Sequence, residues 1–205
     1  MKVDVVLANY NHGRTLEAAI KAILGQFLVP ERIIVVDDAS TDNSLEVIKT
    51  MQRHYPNILA IRNSVNVGSA YSYNNGLPYV QSDLVYFASA DDITLPNLFA
   101  DSANFLSCFP EAGFACCEVL LSHIDKQKMS LRPIIRPKIK NRLMNVEAVW
   151  SEFKSNDNWI MTGATIYRTK LVKAQGGLPA NLGAYADSIM AREIAFKYGC
   201  IYISR

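Results

Sequence analysis

The first hundred residues alternate four times between a short apolar run and a segment with helical periodicity. The apolar runs are Val3–Ala8, Ile33–Val36, Ile58–Ile61 and Leu84–Ala88. Near-continuous apolar runs of this length are typical of strands buried on both faces, as in parallel sheets. Four β-α units of this kind predict an α/β fold, with a mostly parallel, Rossmann-like sheet flanked by helices.

The segments between the runs carry apolar residues at helical spacing. Ser40 to Asn43 offer N-cap chemistry for the second helix, the third follows from about Gly68, and Pro96 suits the first position of the fourth. The first helix is predicted to bury one face, formed by Leu16, Ala19, Ile20, Ile23, Leu24 and Phe27.

Two acidic pairs directly follow two of these predicted strands. Asp37-Asp38 closes the second run, and Asp91-Asp92 comes shortly after the fourth. Open α/β sheets bind ligands at the carboxyl ends of their strands. Carboxylate oxygens are the ligands that hard divalent cations prefer, and such cations bind phosphates. The pattern therefore predicts a site for a nucleotide diphosphate.

The pattern is less regular after residue 110. We predict strands over Phe114–Leu121, Trp159–Tyr167 and Ile201–Ile203, and an irregular insertion over residues 123–144. Asn145 is predicted to cap a short helix, Gly176-Gly177 to form a turn, and Asp187–Tyr198 to be helical. Because the last strand ends two residues before the end of the chain, we expect a C-terminally truncated domain.

Composition narrows the class of protein. With 205 residues, the chain is most simply one domain, and a net charge of +2 is too small to predict nucleic-acid binding. Basic residues do gather between Arg132 and Arg142. They form either a solvated loop or a contact with an anionic substrate, lipid headgroups or a phosphate chain.

The termini and the cysteines bear on location. Asp4 interrupts the first apolar run, so the N-terminus is not a signal peptide, and no run reaches the ~20 apolar residues of a membrane span. The four cysteines form no CxxC pair, which predicts reduced, buried thiols and no zinc site. We expect a cytoplasmic protein, with peripheral contact at the inner face of the membrane left open.

Five ordered segments of the first hundred residues resemble the family 2 glycosyltransferases. They are Val5–Asn11, Ile34–Asp42, Asn66–Gly68, Asn74–Gly76 and Ser89–Asp92 with Pro96. The resemblance implies a GT-A fold and transfer of a sugar from a nucleotide diphosphate donor, with inversion. It favours a UDP-sugar donor and a glycan, lipid-linked or protein acceptor. Residues 1–100 would bind the donor, and residues 101–205 would supply the acceptor site and the base.

The resemblance also assigns nucleotide-binding residues. Asp38 would accept a hydrogen bond from the NH of a uracil-like base, and Tyr10 would stack on it. Capping the helix after Ser40 is the alternative for Asp38, and a core position is the alternative for Tyr10. The other implied nucleotide-binding residues are Ala8, Asn66, Gly68, Asn74, Ser89 and Ala90. An ordinary helix start is the alternative for Gly68.

Asp91 and Asp92 are the implied ligands of Mg²⁺ or Mn²⁺. Asp92 could equally cap the helix begun at Pro96. Two positions depart from the family pattern: Ser89 stands where the first acid of the metal motif usually lies, and Tyr73 where a basic residue commonly precedes Asn74. A hydroxyl can bind a ribose but is a poorer cation ligand, and Tyr73 leaves one source of phosphate charge missing unless Arg14, Lys21 or a later residue replaces it.

The implied catalytic base is Asp187, which follows the Gly176-Gly177 turn. The family usually has a Glu-Asp pair there, and Ala186 replaces its first member. An N-cap role is the alternative for Asp187. Because Ser89, Tyr73 and Ala186 all depart from the pattern, the second hypothesis is a non-catalytic nucleotide-sugar-binding subunit. A sugar-phosphate nucleotidyltransferase is disfavoured, since no Gly-rich phosphate loop lies between Val3 and Arg14.

Overall fold

The computed structural model describes residues 1–123, 128–135, 137 and 143–204. Its strands are β1 (Val3–Asn9), β2 (Arg32–Asp37), β3 (Ile58–Arg62), β4 (Leu84–Ser89), β5 (Phe114–Cys117), β6 (Val119–His123), β7 (Lys128–Arg132), β8 (Leu143–Met144), β9 (Thr165–Arg168) and β10 (Cys200–Ile203). Its α-helices are α1 (Gly13–Leu24), α2 (Ser44–His54), α3 (Ser69–Gly76), α4 (Leu98–Cys108), α5 (Val146–Phe153), α6 (Thr169–Ala174) and α7 (Ala186–Tyr198). Short 3₁₀ segments include Thr162–Ala164 and Ala180–Tyr185.

One eight-stranded sheet organises the described residues, in the order β3-β2-β1-β4-β9-β5-β10-β8. The four strands predicted in the first hundred residues pair in parallel, as expected. β9 then runs antiparallel between β4 and β5, β5 and β10 pair in parallel, and β8 is an antiparallel edge strand. The mostly parallel sheet is therefore confirmed, with its antiparallel strands confined to the second half of the chain.

Helices cover both faces of the sheet, because side chains alternate along each strand. Val5 and Leu7 of β1 pack in the layer that contains α1, α2 and α4, whereas Val6 packs in the layer of α3 and α7. Burial of each such aliphatic side chain contributes roughly 1.5–3 kcal/mol. These two apolar layers explain why the predicted strands read as continuous apolar runs.

Two details of the first half differ from the sequence-based expectation. α1 ends at Leu24, and Phe27, predicted on its buried face, is 76% exposed. The prediction that Pro96 opens the fourth helix is also wrong. The start of α2 is as predicted, because Asn43 occupies its cap position and the amide of Ser44 donates to Asp42 Oδ1 at 2.9 Å.

The segment before α4 is tethered to α1. The buried Gln26 side chain donates to the carbonyl oxygens of Thr94 (3.2 Å) and Leu95 (2.8 Å). Asn97 then adopts a left-handed conformation with φ 73° before α4 begins at Leu98. These bonds fix the segment just before Pro96, and α4 begins only after the left-handed Asn97.

The second half departs further from expectation. The strand predicted over residues 114–121 is two strands, because β6 leaves the large sheet and pairs with β7 in a hairpin. β7 and β8 lie within the predicted irregular insertion. The strand predicted over Trp159–Tyr167 begins only at Thr165, since Thr162–Ala164 forms a 3₁₀ turn. Of the basic stretch, Arg136 and residues 138–142 lie outside the described residues.

Three further predictions can be compared with the structure. Asn145 caps α5 as expected, accepting a hydrogen bond of 2.9 Å from the amide of Ala148. The cysteines are free thiols, but Cys108 is exposed rather than buried, because it ends α4. Among the described residues, no helix has the length and apolar character needed to cross a membrane.

Candidate active site

The carboxyl ends of β2, β1 and β4 lie side by side at one edge of the sheet. In the strand register, Asn9 pairs with Asp37 and Ala8 pairs with Ser89. The backbone continues this alignment beyond the strands, since the amide of Ala90 donates to the carbonyl oxygen of Ala8 at 3.2 Å. The edge therefore brings the predicted residues that follow the three strands into one place.

A buried polar network lies beneath this edge. The Asn9 side-chain amide donates to Asp37 Oδ1 at 2.9 Å and to Ser40 Oγ at 3.1 Å. Arg62 at the end of β3 adds an ion pair with Asp37, at 3.6 Å. Asn9 and Asp37 are both buried. Nothing in the sequence singles out Asn9, because its contribution depends on its pairing with the neighbouring strand.

Asp38 holds the loop that leads into α3. Its buried carboxylate accepts hydrogen bonds from the amides of Val67 (3.0 Å) and Gly68 (2.8 Å) and from the Asn63 side chain (2.8 Å). The capping alternative is wrong, because α2 begins at Ser44. A carboxylate can accept about four hydrogen bonds. The predicted bond from a base NH would therefore add to these contacts or replace one of them.

Asn66 and Gly68 lie beside Asp38 in that loop. Asn66 Oδ1 accepts a hydrogen bond of 3.1 Å from the amide of Gly68. Gly68 stands immediately before α3 with φ 92°, a left-handed conformation that favours glycine. Gly68 thus stands at the start of a helix, which was the alternative considered for it, and its amide also contacts Asp38 directly. The core alternative for Tyr10 is wrong, since Tyr10 is 43% exposed.

Asn74 faces the second half of the molecule. Its side-chain amide donates to the carbonyl oxygen of Leu178 at 2.8 Å, and its Oδ1 accepts from the amide of Leu178 at 2.8 Å. These bonds join α3 to the turn formed by Gly176 and Gly177. The predicted contact between Asn74 and the nucleotide would have to replace them.

The second acidic pair lies just beyond β4. Ser89 Oγ donates a hydrogen bond to Asp91 Oδ1, so Ser89 orients the carboxylate of Asp91. Partial burial and the like charge of Asp91 raise the pKa of Asp92. Asp92 does not cap α4, which follows Asn97. Within the described part of the chain, no group of three or more His, Cys, Asp or Glu residues is arranged to hold a metal ion.

Asp187 is the second residue of α7. The Thr162 hydroxyl donates to its Oδ2 at 2.6 Å, and the amide of Ser188 donates to its Oδ1 at 2.6 Å. The N-cap alternative is wrong, because Tyr185 occupies the cap position. Thr162 lies in the segment predicted as a strand, so its contact with Asp187 could not be predicted from the sequence.

Tyr73 marks the point where the acids of the two halves converge. Its hydroxyl donates to the carbonyl oxygen of Ala88 at 3.2 Å. Burial is the largest cause of a pKa of Tyr73 well above its usual value. Tyr86 raises this pKa further, and so do the negative charges of Asp187, Asp92 and Asp91, in that order. The structure therefore brings the predicted base and the predicted metal ligands close enough to one half-buried phenol to act on its charge. Lys21, proposed as a replacement for the missing basic residue, is instead paired with Glu17 at 2.7 Å.

These features define an open α/β protein with its polar site at the carboxyl ends of parallel strands. The sequence profile described as glycosyl transferase family 2 matches residues 4–166, and the chain belongs to that family. The match covers β1 through the start of β9 and thus includes both acidic pairs.

Known proteins support the fold and the family. An uncharacterized glycosyltransferase of Nostoc sp. is 36% identical over 97 residues, which cover 47% of this chain and 30% of that protein. TarS 1-349 of S. aureus in complex with UDP-GlcNAc superimposes with a TM-score of 0.72 at 17% identity, covering all of this chain and 59% of TarS 1-349. The mannosyltransferase PcManGT of Pyrobaculum calidifontis, in complex with GDP-Man and Mn²⁺, gives a TM-score of 0.73 at 21% identity, covering all of this chain and 54% of that protein.

The predicted GT-A fold is confirmed by these superpositions. The chain spans less than two thirds of the length of each of these three proteins.

Proposed function

We propose that this chain transfers a sugar from a nucleoside diphosphate donor, in particular a UDP-sugar, to a hydroxyl group of a glycan, lipid-linked or protein acceptor. One observation carries the proposal. The carboxylates that follow β4 and the Asp187 carboxylate of α7 come together near Tyr73, on either side of residues 162 and 163, at the sheet edge that also carries Asp38. Such a cluster suits a reaction in which an anionic leaving group and an acceptor proton must be handled within one site.

The donor would lie along the carboxyl ends of β2, β1 and β4. Tyr10 would stack on the base, and Asp38 would accept from its NH while also fixing the amides of Val67 and Gly68, beside Asn66, near the nucleotide. The ribose would lie against Ala8, Ser89 and Ala90. The preference for uracil rests on the acceptor chemistry of Asp38. It is consistent with TarS, a structural neighbour described in complex with UDP-GlcNAc.

A divalent cation, Mg²⁺ or Mn²⁺, fits the second acidic pair. Two adjacent carboxylates supply the hard oxygen ligands that these ions prefer. Partial burial and the like charge of Asp91 raise the pKa of Asp92, and a cation beside the pair would relieve both effects. Asp91, oriented by Ser89, would be its principal protein ligand, and the donor diphosphate would supply further oxygens. When bound, such an ion would neutralise the charge that develops on the departing diphosphate.

Asp187 would act as the base. As the acceptor oxygen forms its bond to the anomeric carbon, the bond from that carbon to the diphosphate breaks, and its electron pair leaves with the diphosphate. The Asp187 carboxylate takes the proton of the acceptor hydroxyl. A single displacement of this kind inverts the anomeric configuration. In this arrangement residues 1–100 bind the donor, and residues 101–205 contribute the base and the acceptor surface.

A non-catalytic nucleotide-sugar-binding subunit is the alternative function. It is favoured by the Ser89–Asp91 bond, because a hydroxyl stands where the family usually has a second metal-binding acid. Such a subunit would bind the donor and leave it intact.

One experiment separates the two functions. We would measure UDP binding by calorimetry with Mn²⁺ and with EDTA, and UDP release from UDP-GlcNAc, UDP-glucose and UDP-galactose with water as the acceptor. The enzyme should bind UDP at least about tenfold more tightly with Mn²⁺ than with EDTA and release UDP from at least one donor. Binding without release would favour the subunit. An absence of UDP binding with Mn²⁺ would contradict both functions.

A further inference from the structure

The turn Thr162–Ala164 touches both acid sites of the proposed reaction centre. On one side, Thr162 Oγ1 donates to Asp187 Oδ2 at 2.6 Å. On the other side, a methyl group added at Gly163 would lie 3.9 Å from Asp92 Oδ2 and would have no other protein atom within 4 Å. Two consecutive residues of the turn therefore face the predicted base and the predicted metal acid.

The turn is held firmly to the sheet. The buried Tyr86 hydroxyl donates to the carbonyl oxygen of Gly163 at 2.8 Å, and the amide of Ala164 donates to Met161 O at 2.9 Å. Burial raises the pKa of Tyr86 to about 12, so its hydroxyl stays protonated and remains a donor at neutral pH. Because Tyr86 lies in β4, which ends at Ser89, the turn is fixed to the strand that Asp91 and Asp92 directly follow.

We propose that Thr162 is a positioning residue for Asp187, and that Gly163 keeps open the space beside Asp92 that the donor and acceptor occupy. This inference rests on the proposed function. Thr162 binds one oxygen of the Asp187 carboxylate and the amide of Ser188 binds the other, so the plane of the carboxylate is fixed from both ends. A carboxylate fixed in this way presents a constant face to the acceptor hydroxyl.

Both residue types matter in this arrangement. Serine at position 162 would keep the hydroxyl, whereas valine would keep the shape and lose the donor. Any side chain at position 163 would project toward the Asp92 carboxylate. The first carbon of such a side chain would cause no clash, because its nearest neighbour, Asp92 Oδ2, lies at ordinary van der Waals distance.

The first test compares Thr162→Val with Thr162→Ser. We expect Thr162→Val to lower kcat for UDP release about 10- to 100-fold, because a misplaced catalytic group costs about that much. The donor KM and the Kd for UDP with Mn²⁺ should change by less than about twofold, and Thr162→Ser should keep kcat within about threefold of wild type. Thr50→Val is the matched control, because it removes a hydroxyl that donates to Glu46 O and accepts from Arg53, both within α2.

The second test asks whether Thr162 acts through Asp187. In the Asp187→Asn background, Thr162→Val should cause no further loss of kcat, since a positioning residue has no effect once its target is gone. If the double variant instead lost kcat by the product of the two single-variant losses, the two residues would act independently and the proposal would be overturned. An unchanged kcat in Thr162→Val, or a loss of UDP affinity that matches the loss of kcat, would also overturn it.

Gly163→Leu provides a readout that does not depend on the hydroxyl. We expect at least a tenfold loss in kcat/KM, roughly the effect of blocking a substrate contact, with an unchanged thermal midpoint. Wild-type activity in this variant would overturn the assignment of Gly163. The two levels of proposal fail differently: a wild-type chain that releases no UDP contradicts the enzyme, whereas an active wild type with an equally active Thr162→Val contradicts only the role of Thr162.

Discussion

The two halves of the large sheet are built differently. β1 to β4 are parallel strands of five to seven residues, each followed by a helix. β5, β8, β9 and β10 are two to four residues long and mix parallel with antiparallel pairing. The first half offers a regular edge on which a donor can lie. The second half delivers Asp187 and Thr162 to that edge through a helix start and a turn.

Specific hydrogen bonds join the two halves. Tyr86 of β4 binds the carbonyl oxygen of Gly163, and Asn74 of α3 binds both backbone groups of Leu178. The comparison therefore predicts a division of labour. Changes in the first half should alter donor binding, changes in the second half should alter turnover alone, and changes in the bonds between them should alter stability.

The largest effect is expected at the edge of the first half. Asp91→Ala should abolish the Mn²⁺-dependent part of UDP binding and lower kcat/KM for UDP release at least ~10³-fold, because it removes the principal proposed cation ligand. Calorimetry and the release assay measure the two quantities. Asp83→Ala is the control, since Asp83 is exposed and precedes the opposite end of β4. Unchanged turnover in Asp91→Ala would contradict the assignment of Asp91 as the cation ligand.

The next effect should appear in the second half and in turnover only. Asp187→Asn keeps the size of the side chain and removes the base, so kcat should fall about 10²- to 10³-fold. The Kd for UDP with Mn²⁺ should stay within about twofold of wild type. If UDP affinity fell in proportion to kcat, Asp187 would belong to the donor site, and the division between the halves would be wrong.

A smaller effect should follow from cutting the link between the halves. Asn74→Ala leaves the amide and the carbonyl oxygen of Leu178 without their partner, which should lower the free energy of unfolding by about 1–3 kcal/mol. Urea denaturation measures this loss. Asn75→Ala, on the exposed side of the same helix and with one bond to Asn63, should cost less than half as much. Equal losses would show that the Asn74–Leu178 contact is no special connection.

The smallest effect concerns the charge of Asp92. Its raised pKa means that the folded protein disfavours the ionised form relative to the unfolded chain. Asp92→Asn should therefore raise the free energy of unfolding at pH 7, by less than about 1 kcal/mol after solvent screening. The gain should shrink as the pH falls through the raised pKa and should vanish below about pH 4, where both states are protonated. A stability gain that grows on acidification would contradict the assigned direction.

The sequence predicted the first half well because local pattern determines it. Apolar runs and intervening helices fix the order of β1 to β4, and acids that follow such runs must meet at one edge. What the pattern could not reveal was where each carboxylate directs its hydrogen bonds. Asp38 binds the amides of Val67 and Gly68, and that contact forms only once the loop has folded back on β2.

The second half was harder to predict because its elements depend on tertiary contacts. The Thr162–Ala164 turn interrupts a run that reads as a strand, and its carbonyl bond to Tyr86 comes from a residue 77 positions away. β6 likewise leaves the large sheet although its sequence continues the apolar run of β5. That Asp187 and Asp92 lie on either side of this turn could thus be inferred only from a family resemblance or from the structure.

The most direct test of the account is a crystal structure with UDP and Mn²⁺, in which the anomalous signal of manganese locates the ion. We predict a manganese peak in contact with the Asp91 carboxylate, the uracil ring beside Tyr10 and Asp38, and the diphosphate on the side of the edge that faces Asp187. A manganese peak away from Asp91, or UDP bound outside the edge formed by β2, β1 and β4, would contradict the account.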